Sequence, residues 1–360
     1  MAGLEGVPVA DTHLSMVDGQ RGHLIYRGQW ADKLAHSHSF EEVTHLLWVG
    51  RLPEHRESER WCRDWTGKRA LPASTVRILD SLGTEQGMME SLRTGVSSLP
   101  WEGKTWPPTP EALVGILARV PTLVSHRWHR LQGTDPIPPR EDLTHAANYL
   151  YMLTGKEPSA AHVQALDAYW VLTAEHGLNA STFAARVVTS TQSDGLSGLV
   201  AAIGALKGPL HGGAPSEVEG MLEQIGDSNR AAAWIERRLR RGERLMGFGH
   251  RIYRTRDPRA ESLRVVAQRL ASEEPWFRLA LQVEEEALRQ LRQWKPHREL
   301  HTNVEFYAAV VLKAIGLPRE LYTPTFTVAR TAGWCAHILE QAENNRIIRP
   351  QSRYIGSFPD

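Results

Sequence analysis

The segment 39–50 shows the helical pattern of apolar and polar positions most clearly. Ser39 and Glu42 have the spacing of a capping box, in which each side chain bonds the backbone N–H of the other residue. The apolar residues that follow lie three or four positions apart, and Gly50 stands where a helix normally ends. The pattern predicts one amphipathic helix across this segment.

The same spacing of apolar residues recurs along most of the chain. It is strongest in four further segments, namely 159–177, 259–274, 303–318 and 327–341. Only Leu24–Tyr26 has the character of a strand. Ala329 and Gly333 are small enough to allow a second helix to approach closely. The sequence therefore predicts an all-α protein.

Two glycine clusters, at 208–213 and 247–249, indicate hinges in this helical chain. We predict a large domain formed by residues 1–213 and 317–360, and a smaller mobile helical domain formed by residues 214–316. The functional site is expected in the cleft between the two domains.

The overall charge leaves little attraction for large polyanions. The chain carries 42 basic and 41 acidic side chains, so we expect neither a nucleic-acid partner nor an anionic membrane partner. The longest uncharged apolar run, 195–206, is shorter than the ~20 residues that a membrane span needs.

The two cysteines, Cys62 and Cys335, fit neither a disulfide framework nor the spacing of metal ligands. The histidine pair in segment 36–39 lacks a nearby acid or cysteine cluster, so we expect no metal site. The amino terminus does not resemble a signal peptide. These features predict a protein of the reducing cytoplasm.

Four polar residues stand at predicted helix ends or in tight turns: His176, His211, His250 and Glu305. A single histidine among the sixteen of this chain would ordinarily be a surface or capping side chain. The glycines beside His211 and His250 change that expectation, because they let a ligand approach the backbone closely. Neither glycine segment is a P-loop or a dinucleotide-binding fingerprint.

The segment 246–259 concentrates positive charge, with four arginines and a single acid. An exposed basic turn explains Arg251 and Arg256 adequately. For His250, Arg254 and Arg259 we favour a role in binding anions.

Several motifs, in order along nearly the whole chain, resemble the citrate synthase family, which includes 2-methylcitrate synthases. They are "VDGQRGHLIYRG", "EHGLNAST", "GPLHGGA", "GFGHRIYRTRDPR", "ARTAGWCAHILEQ" and "IIRPQ". The resemblance implies an all-helical homodimer with active sites shared between subunits. It also implies a small domain that closes over oxaloacetate before the acyl-CoA binds.

The resemblance also implies a role for each matching residue. It assigns oxaloacetate binding to the five residues His176, His250, Arg259, Arg330 and Arg349, with Arg349 reaching in from the other subunit. It places His211 at the thioester, and Arg254, Gly247 and Gly249 at coenzyme A. No tightly bound cofactor is implied, and acetyl-CoA is a co-substrate.

The resemblance implies a Claisen-type condensation of acetyl-CoA with oxaloacetate, followed by hydrolysis to citrate and coenzyme A. This reaction needs residues of these types. Removing a proton from the methyl group of a thioester requires a carboxylate base and a donor to the developing enolate oxygen, for which Glu305 and His211 are the candidates. The electrophile is a dianion with a ketone. It calls for arginines at both carboxylates and a donor at the carbonyl, for which His250 is the candidate.

Alternatives remain open at this stage. The enzyme could be a 2-methylcitrate synthase that uses propionyl-CoA, or a low-activity or regulatory paralogue that binds coenzyme A. The general family pattern has aspartate where this chain has Glu305, and that side chain could instead support the first turn of its helix. Arg349 could belong to a loose tail.

Overall fold

The computed structural model describes residues 3–4, 6–208, 211–212 and 214–359 of the chain. Residues 209, 210 and 213, which belong to the "GPLHGGA" motif and to the predicted domain boundary, lie outside the described residues. The described part contains sixteen α-helices and one small sheet. The helices, numbered α1 to α16 in chain order, are Ala31–Ser37, Phe40–Val49, His55–Thr66, Ala73–Asp80, Met88–Ser97, Pro110–Leu131, His145–Thr154, Ala160–Ala174, Ala180–Ser190, Gly195–Leu206, Ala214–Ile225, Ser228–Arg240, Pro258–Ala271, Pro275–Trp294, Val304–Ala314 and Tyr322–Glu343.

The helix predicted from segment 39–50 forms as α2, with both of its predicted ends. The Ser39 hydroxyl accepts a hydrogen bond from the Glu42 backbone N–H at 3.3 Å, and the Glu42 carboxylate accepts one from the Ser39 N–H at 2.9 Å. Gly50 ends the helix in the left-handed region, with φ +93°. The capping box and the glycine stop are therefore confirmed.

The sheet is a three-stranded antiparallel hairpin structure near the amino terminus. Its strands β1, β2 and β3 are Ser15–Asp18, His23–Tyr26 and Gln29–Trp30, paired in that order. The sequence predicted only the central strand, because β1 has two apolar residues and no buried position, and β3 is two residues long.

The β1–β2 turn positions part of the functional region. The Arg254 N–H donates to the Gly19 carbonyl at 2.8 Å, and the Tyr26 hydroxyl donates to the Glu175 carbonyl at 2.7 Å. A side chain at Gly19 would place its Cβ 2.2 Å from the Ile252 carbonyl oxygen. The turn therefore lies against the loop that carries His250, and β2 contacts the residue before His176.

Two helices, α8 and α16, form the centre of the core. Sixteen of the 22 residues of α16 are buried, and the helix packs on α2, α6, α8, α9 and α10. The predicted close approach at Gly333 is confirmed, since a Cβ there would lie 2.2 Å from the Ala174 carbonyl oxygen. Any larger residue at this position would push α16 away from the end of α8.

Helices α11 to α15 pack mainly on one another, through the pairs α13–α15, α12–α14 and α11–α15. Helices α13 and α15 also pack on α8, so this group meets the rest of the chain where α8 ends. The group corresponds to the predicted smaller domain, whose boundaries stay a prediction. Among the residues that the structure describes, no helix is long and apolar enough to cross a bilayer.

Candidate active site

The loop before His250 is joined to the start of α15 by backbone hydrogen bonds. Asn303 donates from its backbone to the Gly247 carbonyl at 2.9 Å and from its side chain to the Gly249 carbonyl at 2.8 Å. The Asn303 side chain also caps α15 by accepting from the Glu305 N–H. Both glycines have positive φ, +85° and +78°, which L residues rarely adopt. The loop therefore fixes His250 relative to Glu305.

Asp257 holds a second connection between α13 and α15. Its carboxylate accepts from the Arg259 side chain at 3.0 and 2.8 Å, and from the Val304 N–H at 3.0 Å. Both Asp257 and Arg259 are buried. The carboxylate keeps the pKa of the Arg259 guanidinium above its ordinary value against the opposing effect of burial. Arg259 is thus a fixed positive charge at the start of α13.

His250 presents a neutral ring with a defined proton position. Its Nδ1 accepts from the backbone N–H groups of Ile252 and Tyr253, at 3.0 and 3.1 Å. The proton of the neutral ring therefore lies on Nε2. Arg259 Nη2 approaches this Nε2 at 3.4 Å, which is a contact rather than a hydrogen bond because both atoms carry hydrogen. Burial and then the Arg259 charge lower the pKa of His250 to about 4.

His176, in the loop after α8, stands edge-on to His250 with the two ring centres 5.5 Å apart. Its Nε2 lies 3.2 Å from the Tyr253 hydroxyl. Burial, followed by the positive charges of Arg259 and Arg330, lowers the pKa of His176 well below its ordinary value. His176 is therefore neutral in the folded protein at physiological pH.

Arg330, on α16, is the second buried arginine of this region. Its Nε donates to the Thr173 carbonyl at 2.8 Å, and its guanidinium lies 4.7 Å from the centre of the Phe326 ring. Within the described residues its hydrogen bonds involve Nε alone, so both Nη groups are available to a ligand. The buried Glu175 carboxylate opposes the lowering of the Arg330 pKa that burial causes.

His211 is half-buried and is held by a side chain from α9. Its Nε2 lies 2.9 Å from the Ser181 hydroxyl, which accepts a hydrogen bond from the Trp334 indole at 3.1 Å. Burial, followed by the Arg330 charge, lowers the pKa of His211. A neutral ring in this position can donate a hydrogen bond without adding positive charge to the site.

Glu305 begins α15 and is half-buried. Its carboxylate accepts no hydrogen bond from the described residues. Desolvation raises its pKa to about 7, although the Arg259 charge acts in the opposite direction. A carboxylate with a pKa near the working pH has the property expected of a general base.

The residues His176, His211, His250, Arg259, Arg330 and Glu305 are called the cluster below. Arg254 lies at its solvent-exposed side. It is exposed and lines a cavity of about 430 Å³ together with His250, His297 and Arg298. The cavity places the exposed charges of Arg254 and Arg298 next to the half-buried neutral ring of His250. That arrangement suits an anionic ligand with a reactive end near His250.

Within the described residues, Arg349 makes no hydrogen bond or ion pair with a residue of the cluster in its own chain. It is exposed in the extended segment after α16, and the neighbouring Ile348 N–H donates to the Ser190 hydroxyl at 3.0 Å. The other nine sequence-predicted site residues lie on the elements that surround the cluster.

Sequence reasoning missed the residues that hold the site in place, chiefly Tyr253, Asp257, Glu175 and Ser181. Each has an ordinary structural interpretation in the sequence, as a core aromatic, a helix cap, a helix end or a first-turn serine. The one available signal was Asp257, the single acid in the arginine-rich segment. Among the described residues, no group of histidine, cysteine and carboxylate side chains could hold a metal ion.

Comparison with known proteins adds independent findings. The family model described as citrate synthase, C-terminal domain, matches residues 3–351. A citrate synthase from Haloferax volcanii is 40% identical, covering 98% of this chain and 95% of the relative. A citrate/2-methylcitrate synthase from Bacillus subtilis is 38% identical, covering 98% of this chain and 96% of the relative.

A solved structure resembles the whole fold. The citrate synthase from the thermophilic archaeon Thermoplasma acidophilum, in a ternary complex with carboxymethyl coenzyme A and oxaloacetate, superimposes with a TM-score of 0.91. The match has 27% identity and covers 99% of this chain and 96% of the other. The chain therefore belongs to the citrate synthase family, enzymes that transfer an acyl group in a condensation.

Proposed function

We propose that this chain condenses acetyl-CoA with oxaloacetate and hydrolyses the product to citrate and coenzyme A. The observation that supports the proposal is that one cluster contains both a base with a hydrogen-bond donor and a set of anion-binding residues. Glu305 has a pKa of about 7, and His211 is a neutral donor. Beside them lie two buried arginines and a neutral His250 that presents a donor.

The arginines and histidines suit oxaloacetate. We assign its two carboxylates to Arg259, Arg330 and His176, and its ketone oxygen to His250. The Nε2–H of His250 donates to that oxygen and polarises the carbonyl carbon. Because the pKa of His250 is about 4, the ring donates as a neutral imidazole.

Glu305 and His211 suit the acetyl thioester. Glu305 removes a methyl proton while His211 donates a hydrogen bond to the thioester oxygen. The methyl carbon then bonds to the ketone carbon of oxaloacetate, and the ketone oxygen takes up a proton through His250. Water cleaves the thioester of the product, which releases citrate and the thiol of coenzyme A.

Coenzyme A fits the open side of the cluster. The exposed Arg254 and Arg298 line the cavity beside His250, and they can hold phosphate groups without the cost of burying them. We also assign coenzyme A to the loop of Gly247 and Gly249, whose positive φ values favour glycine and whose missing side chains let the loop pack on Phe306 and Leu300. The protein needs no tightly bound cofactor for this chemistry, and we place it in the cytoplasm.

The charge of the site supports an active homodimer. The two buried arginines are balanced by two buried carboxylates, Asp257 and Glu175. A dianionic substrate therefore needs a further cation, which Arg349 of a second copy would supply. The exposed apolar side chains that follow it, of Tyr354, Ile355 and Phe358, fit a segment that packs on another subunit.

The proposed dimer works together with a domain movement. We propose that residues 214–316 rotate against the rest of the chain, so that His250 and Glu305 approach His176 and Arg330 when oxaloacetate binds. Closure would exclude water before the acyl-CoA arrives.

Propionyl-CoA is a second candidate substrate, favoured by the Bacillus relative that is named for both products. One methylene in an apolar pocket changes selectivity by only about 1–3 kcal/mol, so we expect measurable turnover of both thioesters. Release of coenzyme A from each, with oxaloacetate present, decides the preference. A kcat/KM for propionyl-CoA tenfold above the acetyl-CoA value would identify the protein as a 2-methylcitrate synthase.

Replacing His250 or Arg259 by alanine should remove most of the activity. His250→Ala deletes the donor to the ketone, and Arg259→Ala leaves both the substrate carboxylate and the buried Asp257 without a charge partner. The measurement is coenzyme A release from acetyl-CoA at saturating oxaloacetate. Arg256→Ala, an exposed arginine of the same loop, is the control and should retain wild-type turnover. Near wild-type rates in both site variants would contradict the assignment.

The pH dependence should report Glu305. At saturating oxaloacetate, kcat/KM for acetyl-CoA should fall tenfold per pH unit below an apparent pKa of about 7 or higher, since the bound dianion can only raise the pKa of the base. The pKa of His250 is about 4 without substrate, well below that of Glu305, and the bound dianion raises both values, so Glu305 should remain the group with the higher pKa. A profile that is flat down to pH 5 would show that the base is another group.

A further inference from the structure

Tyr253 contacts both histidines that the proposed function assigns to oxaloacetate. Its backbone N–H lies 3.1 Å from His250 Nδ1, and its hydroxyl lies 3.2 Å from His176 Nε2. Its ring stands 4.8 Å from the His250 ring and 5.7 Å from the Arg259 guanidinium. Tyr253 is only 4% exposed, so these contacts are made inside the protein.

The backbone contact determines the tautomer of His250. A neutral imidazole carries one proton, and the nitrogen that accepts a hydrogen bond cannot be the one that carries it. Because Nδ1 accepts from the N–H groups of Ile252 and Tyr253, the proton lies on Nε2. This leaves His250 with a donor for the ketone oxygen.

The contact of the Tyr253 hydroxyl with Nε2 of His176 determines the tautomer of His176 in the same way. A carboxylate of the substrate is only an acceptor, so His176 must offer it an N–H. Within the described residues Nε2 has Tyr253 as its partner, and Nδ1 has none, so Nδ1 is the atom available to the substrate. Nδ1 then carries the proton, and Nε2 accepts from the tyrosine. Burial raises the pKa of Tyr253, which keeps its proton in place.

We propose that Tyr253 is a positioning residue that sets the tautomers of both substrate-binding histidines, His250 through its backbone and His176 through its hydroxyl. The inference rests on the proposed function, because it concerns how the same site holds oxaloacetate. It goes further because it gives Tyr253 a role that the proposed function does not include. In this role Tyr253 determines which ring nitrogens of His250 and His176 carry the protons that bind the ketone and a carboxylate of oxaloacetate.

The side-chain half of the proposal is testable with Tyr253→Phe, which removes the hydroxyl and keeps the ring and the backbone N–H. Without the hydroxyl, the His176 proton is free to occupy Nε2, and the hydrogen bond to the substrate is weakened. We expect the Kd and KM for oxaloacetate to rise about tenfold, with kcat and the KM for acetyl-CoA changed less than about threefold.

The matched control is Tyr149→Phe. Tyr149 is also buried, but its hydroxyl lies 2.8 Å from the Thr325 hydroxyl on another part of the core. This variant loses a buried hydroxyl of the same kind and should keep the wild-type oxaloacetate affinity. Equal affinity losses in both variants would reduce the role of Tyr253 to general packing and overturn the proposal.

A double-mutant cycle separates positioning from an independent contact. In a His176→Gln background, Tyr253→Phe should cause little further loss of oxaloacetate affinity, because its effect passes through the histidine. Fully additive losses, or wild-type affinity in Tyr253→Phe alone, would overturn the proposal. Calorimetry keeps the two hypotheses apart, since a wild-type protein that binds oxaloacetate but releases no coenzyme A contradicts only the proposed function.

Discussion

Glu305→Gln should lower kcat for acetyl-CoA at least about a hundredfold without weakening the binding of oxaloacetate. The substitution keeps the size of the side chain and removes its capacity to accept a proton. Oxaloacetate is assigned to other residues, and the Glu305 carboxylate accepts no hydrogen bond within the described residues, so the substitution removes no contact to oxaloacetate. It also removes a negative charge that repels the dianion, so binding should be as tight as in the wild type or tighter. The measurements are coenzyme A release at saturating substrates and calorimetric titration with oxaloacetate.

Glu305→Asp should also lower kcat. The aspartate carboxylate would lie more than about 1 Å from the present position, and a displacement of that size can cost ~100-fold in rate. Hydrogen bonds join the Gly247–Gly249 loop to residues 301–303 just before α15, so we expect the site to be adjusted to the longer side chain. Glu261→Gln, an exposed glutamate on α13, is the control for the charge change.

Two outcomes would contradict this view of Glu305. A faster Glu305→Asp variant would mean that the backbone has not adjusted to the longer glutamate side chain. The chain would then be better described as a low-activity member of the family. An unaffected Glu305→Gln variant would mean that Glu305 serves its helix and not the reaction.

Local rules were sufficient to predict much of the fold. Ser39, Glu42 and Gly50 determine the ends of α2 through hydrogen bonds within a few residues, and such contacts can be inferred from sequence alone. The prediction for α8 was less complete. A single apolar stripe was expected, whereas residues 168–174 are buried all round because α13, α15 and α16 pack on different sides of the helix.

The candidate site also contains residues that the sequence predicts and residues that it does not. The residues with unusual chemistry in unusual places, such as His250 between glycines, were recognisable in the sequence. The residues that hold them in place were not recognisable, because they act through tertiary contacts that cannot be inferred from the sequence. Asp257 matters because its oxygen lies 3.0 Å from the Val304 N–H, and these residues are far apart along the chain. Tyr253 matters because its hydroxyl meets a histidine from another helix end.

The position of Arg349 outside its own site leads to a complementation experiment. His250→Ala and Arg349→Ala homodimers should both be nearly inactive, if Arg349 completes the site of the other subunit. After random reassociation of the two variants, half of the dimers are mixed, and each mixed dimer combines an intact His250 and an intact Arg349 in one of its two sites. About a quarter of all sites should therefore regain activity, and mixed dimers isolated with two affinity tags should show about half of the wild-type rate.

The control pair is His250→Ala with Arg259→Ala. These two residues lie in the same chain with side-chain nitrogens 3.4 Å apart, so every site of their mixed dimers lacks one of them. This pair should recover no activity under the same exchange conditions. If the His250→Ala and Arg349→Ala pair also fails to recover while its tagged mixed dimers are isolated intact, Arg349 does not act across the interface.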